Sequence, residues 1–163
     1  MTEFVSEVLV LGRESTGEFD ARVSLFTRRY GKLVAKAKSI RKITSKLSGH
    51  LQPGTFARAR FIEKNGLQVA DALKYGFFNS SRDNLRILDK IIPEAEPDIG
   101  LWAELASGGL RWRTVLKILG WDPNHALCAS CGAKEIVSFG PSEQEFLCKE
   151  CALKLDRNKL LYI

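Results

Sequence analysis

No run of about eighteen apolar residues occurs in the 163-residue chain, so no membrane-spanning helix is expected. The first residues, Met1-Thr2-Glu3-Phe4-Val5-Ser6-Glu7, carry acids and lack the basic segment and apolar run of a secretory signal. There is no G-x-G-x-x-G, Walker-type or G-x-S-x-G loop. The two histidines, His50 and His125, sit in no recognisable catalytic arrangement, and no carboxylate has a partner that suggests acid–base work. An enzyme is therefore not expected, and the chain reads as soluble and cytoplasmic.

Acidic residues are missing from one long stretch. Between Arg28 and Lys46 stand eight basic side chains and no acid: Arg28, Arg29, Lys32, Lys36, Lys38, Arg41, Lys42 and Lys46. Residues 1–79 hold 14 Lys or Arg against 7 Asp or Glu, while residues 80–163 hold 11 against 12. The whole formal charge of +6 thus comes from an excess in the first half. A merely solvated face would mix signs. An unmixed basic stretch is the electrostatic footprint of a polyanion, and nucleic acid is the expected partner. An anionic membrane fits less well, because no basic amphipathic helix is evident there.

Cysteine is confined to two C-x-x-C pairs, Cys128/Cys131 and Cys148/Cys151, separated by residues 132–147. This is the spacing of a tetrahedral site with four thiolate ligands, and one zinc ion is expected. The competing reading, disulfides or redox dithiols, needs an oxidising compartment that nothing here indicates. Four thiolates leave no open coordination position, so the ion would be structural. Gly132 suits the knuckle after Cys131, where a residue often needs positive φ.

The first half alternates with period two, the mark of half-buried strands. Strands are expected over Phe4–Leu11, Ala21–Thr27, Lys32–Lys38, Thr55–Lys64 and Leu67–Tyr75, with Asn65-Gly66 as a hairpin turn. Five short antiparallel strands with a basic loop fit a small barrel, and the OB-fold leads. After Phe78 the period changes. Asn79-Ser80-Ser81 caps a helix carrying Leu85, Ile87, Leu88, Ile91 and Ile92, stopped by Pro93. Pro97-Asp98 opens a second helix, and Leu110–Leu119 a third, ended by Gly120. Trp102, Trp112 and Trp121 are expected in the core of a small helical bundle. The fold class is α+β: an OB-like barrel over 1–78, then a helical domain over 79–163 with the zinc module at about 125–155.

Placed on the barrel, Val23, Leu25, Leu33, Ala35, Ala37, Ala57, Ala59 and Phe61 point inward. The outer faces and the loop then carry the expected nucleic-acid footprint: Arg22, Arg28, Arg29, Lys32, Lys36, Lys38, Arg41, Lys42, Arg58 and Arg60. Phosphates would meet these groups without reading sequence. Phe26 and Phe56 lie among them, either to stack on bases or to be buried under the helical half, with burial preferred.

Several stretches together resemble the bacterial recombination-mediator and DNA-repair family RecO. They are Asp20-Ala21-Arg22-Val23-Ser24-Leu25-Phe26-Thr27-Arg28-Arg29-Tyr30-Gly31-Lys32, continuing through Leu33-Val34-Ala35-Lys36-Ala37, then Leu51-Gln52-Pro53. Leu119-Gly120-Trp121-Asp122-Pro123 running into Cys128-Ala129-Ser130-Cys131-Gly132, Phe139-Gly140-Pro141 and Leu147-Cys148 complete the series. The resemblance implies an OB-fold, a helical domain and a zinc module held by the four cysteines. It implies binding of single- and double-stranded DNA, annealing of complementary strands, recombinase loading after DNA damage, and residence in the bacterial cytoplasm or nucleoid. The implied partners are RecR and the acidic tail of single-stranded-DNA-binding protein. Two departures bear on the last partner, whose pocket lies in the family's helical domain. The stretch between Ser80 and Leu127 looks trimmed, and Leu153, Leu155, Leu160, Leu161 and Ile163 stand where the family continues with more helix. Two other readings compete: an RNA-binding module braced by zinc, which 2′-hydroxyl contacts would favour, and a zinc-stabilised protein adaptor.

Overall fold

The computed structural model describes residues 2–163. Its first half is built of β1 (Thr2–Thr16), β2 (Asp20–Thr27), β3 (Gly31–Ala37), β4 (Thr55–Glu63) and β5 (Leu67–Phe77). These close into a barrel in the order β1-β2-β3-β5-β4, with β4 returning to β1. β1 pairs with β4 through its first half and with β2 through its second, and the register shifts between Val10 and Gly12. Among the described barrel strands β3 and β5 pair in parallel, at Lys36 and Gln68, and the other neighbours are antiparallel. This is the five-stranded OB arrangement. The interior is filled by small residues among larger ones: Val8, Val10, Val23, Leu25, Ala35, Ala37, Ala57, Ala59 and Phe61. Leu33, expected with them, is only half-buried and lies outside this cluster.

The two expected helices follow. In α1 (Arg82–Ile91), Ser81 caps the N-terminus by accepting from the Asn84 N–H. In α2 (Ile99–Ala106), Asp98 does the same for Leu101. α1 packs on β1. Leu9 is paired with Phe26 on β2 and Phe56 on β4, and all three are buried on the outside of the barrel. Trp102 of α2 covers this patch, with its ring 6.0 Å from Phe26 and 5.8 Å from Phe56. The chain divides into two compact units, Met1–Gly109 and Leu110–Ile163. Trp102 belongs to the first, while Trp121 packs on Phe139 in the second, 5.2 Å between rings. The three tryptophans therefore do not share a helical bundle. The barrel's own outer aromatics offered Trp102 a larger apolar surface than short helices could supply.

Gly31 fixes the turn between β2 and β3 against the loop that joins α1 to α2. Its φ is +72°, and a Cβ there would overlap the Glu96 backbone. Gly31→Ala is expected to destabilise the first unit by about 2–5 kcal/mol, combining the left-handed backbone cost with overpacking. Thermal unfolding of the variant checks this. An unchanged melting temperature would show that the loop yields.

The second unit starts with α3 (Trp112–Ile118), which ends at Gly120 with φ +99°. A small sheet follows, ordered β7-β6-β8, from β6 (Ser138–Gly140), β7 (Glu145–Leu147) and β8 (Leu161–Tyr162). Helix α4 (Lys149–Ala152) is a single turn. Where the family resemblance implies more helix, Leu161 of the terminal apolar residues enters a short strand, while Leu153 and Leu155 are exposed. Leu161 and Tyr162 pair with Phe139 and Ser138, which buries Leu161 without the length a helix would need. Among the described residues, no helix is long and apolar enough to cross a membrane.

Candidate metal centre and nucleic-acid interface

The four cysteines converge. The sulfurs of Cys128, Cys131, Cys148 and Cys151 all lie within 4.8 Å of one another. The first pair sits on a tight knuckle: the Gly132 N–H donates to the Cys128 carbonyl at 2.8 Å, and the Cys128 N–H to the Ala133 carbonyl at 2.9 Å. Gly132 has φ +74°, the left-handed conformation that the sequence reading anticipates. The second pair opens α4, where the Ala152 N–H donates to the Cys148 carbonyl at 2.9 Å. The β6–β7 hairpin carries the second pair back to the first, and the Ala129 N–H closes the fold on the Phe146 carbonyl at 2.9 Å.

The dimensions test the donor set. Thiolates at about 2.3 Å from a tetrahedral ion stand about 3.8 Å apart, whereas a disulfide needs about 2.05 Å. The Cys131 and Cys148 sulfurs are 3.7 Å apart, and all four cysteines are free. The cluster can therefore hold a metal ion. Its electrostatics fit a cation too. Backbone N–H groups, that of Cys148 foremost, hold the Cys128 thiol down at about 6. Neighbouring sulfurs, Cys148 first, push Cys151 up to about 12. One negative charge is welcome in the cluster and a fourth is not, unless a cation compensates it. Metal retention should accordingly weaken as pH falls.

The basic residues do not form one patch. At one end of the β2–β3 hairpin, Arg22, Lys36, Lys38, Arg41 and Lys42 are exposed. The long loop after β3 is tied to the β1–β2 turn by the Arg41 N–H, which donates to the Phe19 carbonyl at 2.9 Å. Lys42 lies over the Phe19 ring at 5.4 Å. Asp20 is one acid in this cluster, and Glu14 stands opposite Arg22 across β1 and β2. Asp20 accepts from the Ser39 N–H at 2.7 Å and pairs with Lys36 at 2.9 Å, and these contacts hold its carboxyl below the usual range.

The second cluster, Arg28, Arg29 and Arg58, is at the other end of the hairpin. Arg22 lies on β2 and Arg28 directly after its end, and the intervening rise is roughly 20 Å at about 3.3 Å per residue. Arg28 is paired with Glu7 at 2.6 Å, and Arg60, further along β4, with Glu3 at 3.0 Å. Lys32 belongs to neither cluster. It is 8% exposed, donates to the Asp89 carbonyl, and has its ammonium 3.8 Å from the Asp89 carboxylate. Alternation placed it on the outer face correctly, but α1 covers that face.

Phe26 and Phe56 are buried, so neither is presented to a ligand. Two exposed rings beside the second basic cluster were not singled out from the sequence. Tyr30, in the β2–β3 turn, is 38% exposed, and Tyr75, on β5, is 57% exposed. Both line an open groove of roughly 940 Å³ with Arg28, Arg29 and Arg58. Tyr75 was legible as the partner of Leu73 on one face of β5. Tyr30 sits in a turn, where periodicity says nothing.

Comparison with known proteins agrees with this architecture. Residues 1–75 match the family described as recombination protein O N terminal. The DNA repair protein RecO of Thermodesulfovibrio yellowstonii is 28% identical over 175 residues, covering 91% of this chain and 70% of that protein. That of Desulforudis audaxviator is 28% identical over 179 residues, covering 93% and 71%. That of a Nocardioides species is 26% identical over 178 residues, covering 89% and 72%.

Proposed function

We propose that the chain is a member of the RecO family and acts as a non-enzymatic mediator of DNA repair. In this reading it binds single- and double-stranded DNA without sequence preference, anneals complementary strands and assists recombinase loading. The observation that carries the reading is the closed barrel bearing nearly all of the chain's uncompensated positive charge on its surface. Annealing requires that two strands be held, partly neutralised and brought together. Guanidinium and ammonium groups at Arg22, Lys36, Lys38, Arg41, Lys42, Arg29 and Arg58 would do this through phosphates. RecR and single-stranded-DNA-binding protein are the protein partners the reading includes.

The ion of the second unit is read as one structural zinc. Cys128, Cys131, Cys148 and Cys151 would hold it, and it would cross-link two knuckles that share little apolar core. The RNA-binding alternative would be favoured by a clear preference for RNA over DNA of the same sequence.

Salt dependence tests the DNA reading. With about five phosphates neutralised on a single strand, log affinity should fall against log salt with a slope of roughly −3.5. Fluorescence anisotropy of a labelled oligonucleotide over a salt series gives the slope. A slope near zero would contradict phosphate-driven binding.

A further inference from the structure

We propose that the groove between Tyr30 and Tyr75 is a subsite for the unstacked bases of single-stranded DNA, and that the lysine-rich end of the barrel contacts phosphates alone. The proposal rests on the reading that this chain binds DNA, and it divides that activity between two places. Small barrels of this kind usually take ligands on the outer face of β2 and β3. Here one end of that face is occupied, since Phe26 and Lys32 are buried beneath α1 and α2, while the Arg22–Lys36 end stays exposed in the lysine-rich cluster. The groove lies instead on the outer face of β1 and β4, where Glu7 is paired with Arg58, and is flanked by Tyr75 of β5 and the Arg28–Tyr30 turn.

Both rings are held in place from behind. Tyr30 packs on Phe4 with 4.5 Å between centroids, and Phe4 stacks on the core ring Phe61 at 5.0 Å. Tyr75 lies 6.2 Å from Phe56, nearly parallel to it, and its hydroxyl donates to Glu7 at 3.4 Å. The same carboxylate accepts from Arg28 at 2.6 Å, so one acid orients a ring and a guanidinium together. Exposed aromatic rings fixed beforehand, beside three arginines and a single carboxylate, match a chain that alternates flat bases with phosphates. The other cluster has no free ring, because its one exposed aromatic, Phe19, is capped by Lys42 at 5.4 Å. Bases inside a duplex cannot reach Tyr30 or Tyr75. The groove therefore favours single strands, while the lysine-rich end serves both.

The test uses the full chain. Oligo(dT) carrying 5-iododeoxyuridine is photocrosslinked to the unsubstituted protein, and the adducts are located by mass spectrometry. Adducts at Tyr30 and Tyr75 are expected, with Tyr162 of the second unit unlabelled. An abasic oligonucleotide of the same length should bind at least tenfold more weakly than oligo(dT). The Tyr30→Leu/Tyr75→Leu variant should lose at least tenfold in single-strand affinity and stay within twofold on duplex, and the two Tyr→Phe changes should restore binding. Equal binding of abasic and normal oligonucleotides, or adducts confined to the lysine-rich end, would overturn the subsite while leaving DNA binding intact. Absence of binding to any DNA would overturn both. Occupation of the groove by an acidic peptide with an apolar end, with no competition from oligo(dT), would assign it to a protein partner instead.

Discussion

Replacing Cys148 with serine is expected to release the metal and unfold much of residues 125–155 while leaving the barrel folded. Structural zinc in small modules is worth about 10–16 kcal/mol of apparent binding energy at neutral pH. The second unit has little to set against that loss. Its sheet is made of strands of two or three residues, α4 is one turn long, and the core near the cysteines is Leu147, Ala152 and part-buried neighbours. Trp121, Phe139 and Phe146 pack together, but a cluster of three rings does not hold two knuckles in place. The first unit closes its own barrel over its own core and needs nothing from the ion. Elemental analysis should find one zinc per parent chain and none in the variant. Hydrogen exchange should rise across 125–155 and hold steady across the barrel strands. A parent protein free of zinc after reducing, metal-replete preparation would remove the assignment.

Reversing Lys36, Lys38 and Arg41 to glutamate should weaken DNA binding at least a hundredfold at physiological salt. The three side chains are exposed and lie in the cluster without aromatic contacts to a ligand. Their loss would remove about three of five phosphate contacts and add repulsion, flattening the salt slope from roughly −3.5 to about −1.4. The weakening should be similar for all sequences, because phosphate contacts carry no base information. Stability should change little. The Lys36–Asp20 pair is a surface pair, with Lys36 about half exposed, and such pairs contribute little. Anisotropy titrations and a thermal melt together separate lost binding from lost folding. Parent-like affinity in a folded triple variant would remove this end of the barrel from the site.

Much of this was legible because local chemistry and the final packing agree. Val23, Leu25, Ala35, Ala37, Ala57, Ala59 and Phe61 alternate in sequence and meet inside the barrel. Ser81 and Asp98 cap the helices they were expected to open. The cysteine spacing and Gly132 specify the knuckle with no reference to the rest of the chain. What stayed hidden depends on contacts distant in sequence. β1 extends to Thr16, five residues past the expected Leu11, because the register shift at Val10/Gly12 breaks its alternation. Val8, Leu9, Val10 and Leu11 are buried on both sides of that strand, so their run carries no period. Lys32 looks identical to Lys36 and Lys38 until α1 is docked on the barrel. β6, β7 and β8 are too short to show a period of two. Tyr30 and Tyr75 become a pair only through Glu7, Phe4 and Phe56, which lie on other strands.

The central claim is that this basic barrel brings complementary DNA strands together. The direct measurement is the rate at which the full chain anneals two complementary oligonucleotides, bare or coated with single-stranded-DNA-binding protein, beside the Lys36/Lys38/Arg41→Glu variant. The account predicts annealing well above the spontaneous rate with the parent, falling nearly to that rate with the folded variant. Annealing by the parent no faster than the spontaneous rate, or equal annealing by parent and variant, would contradict it.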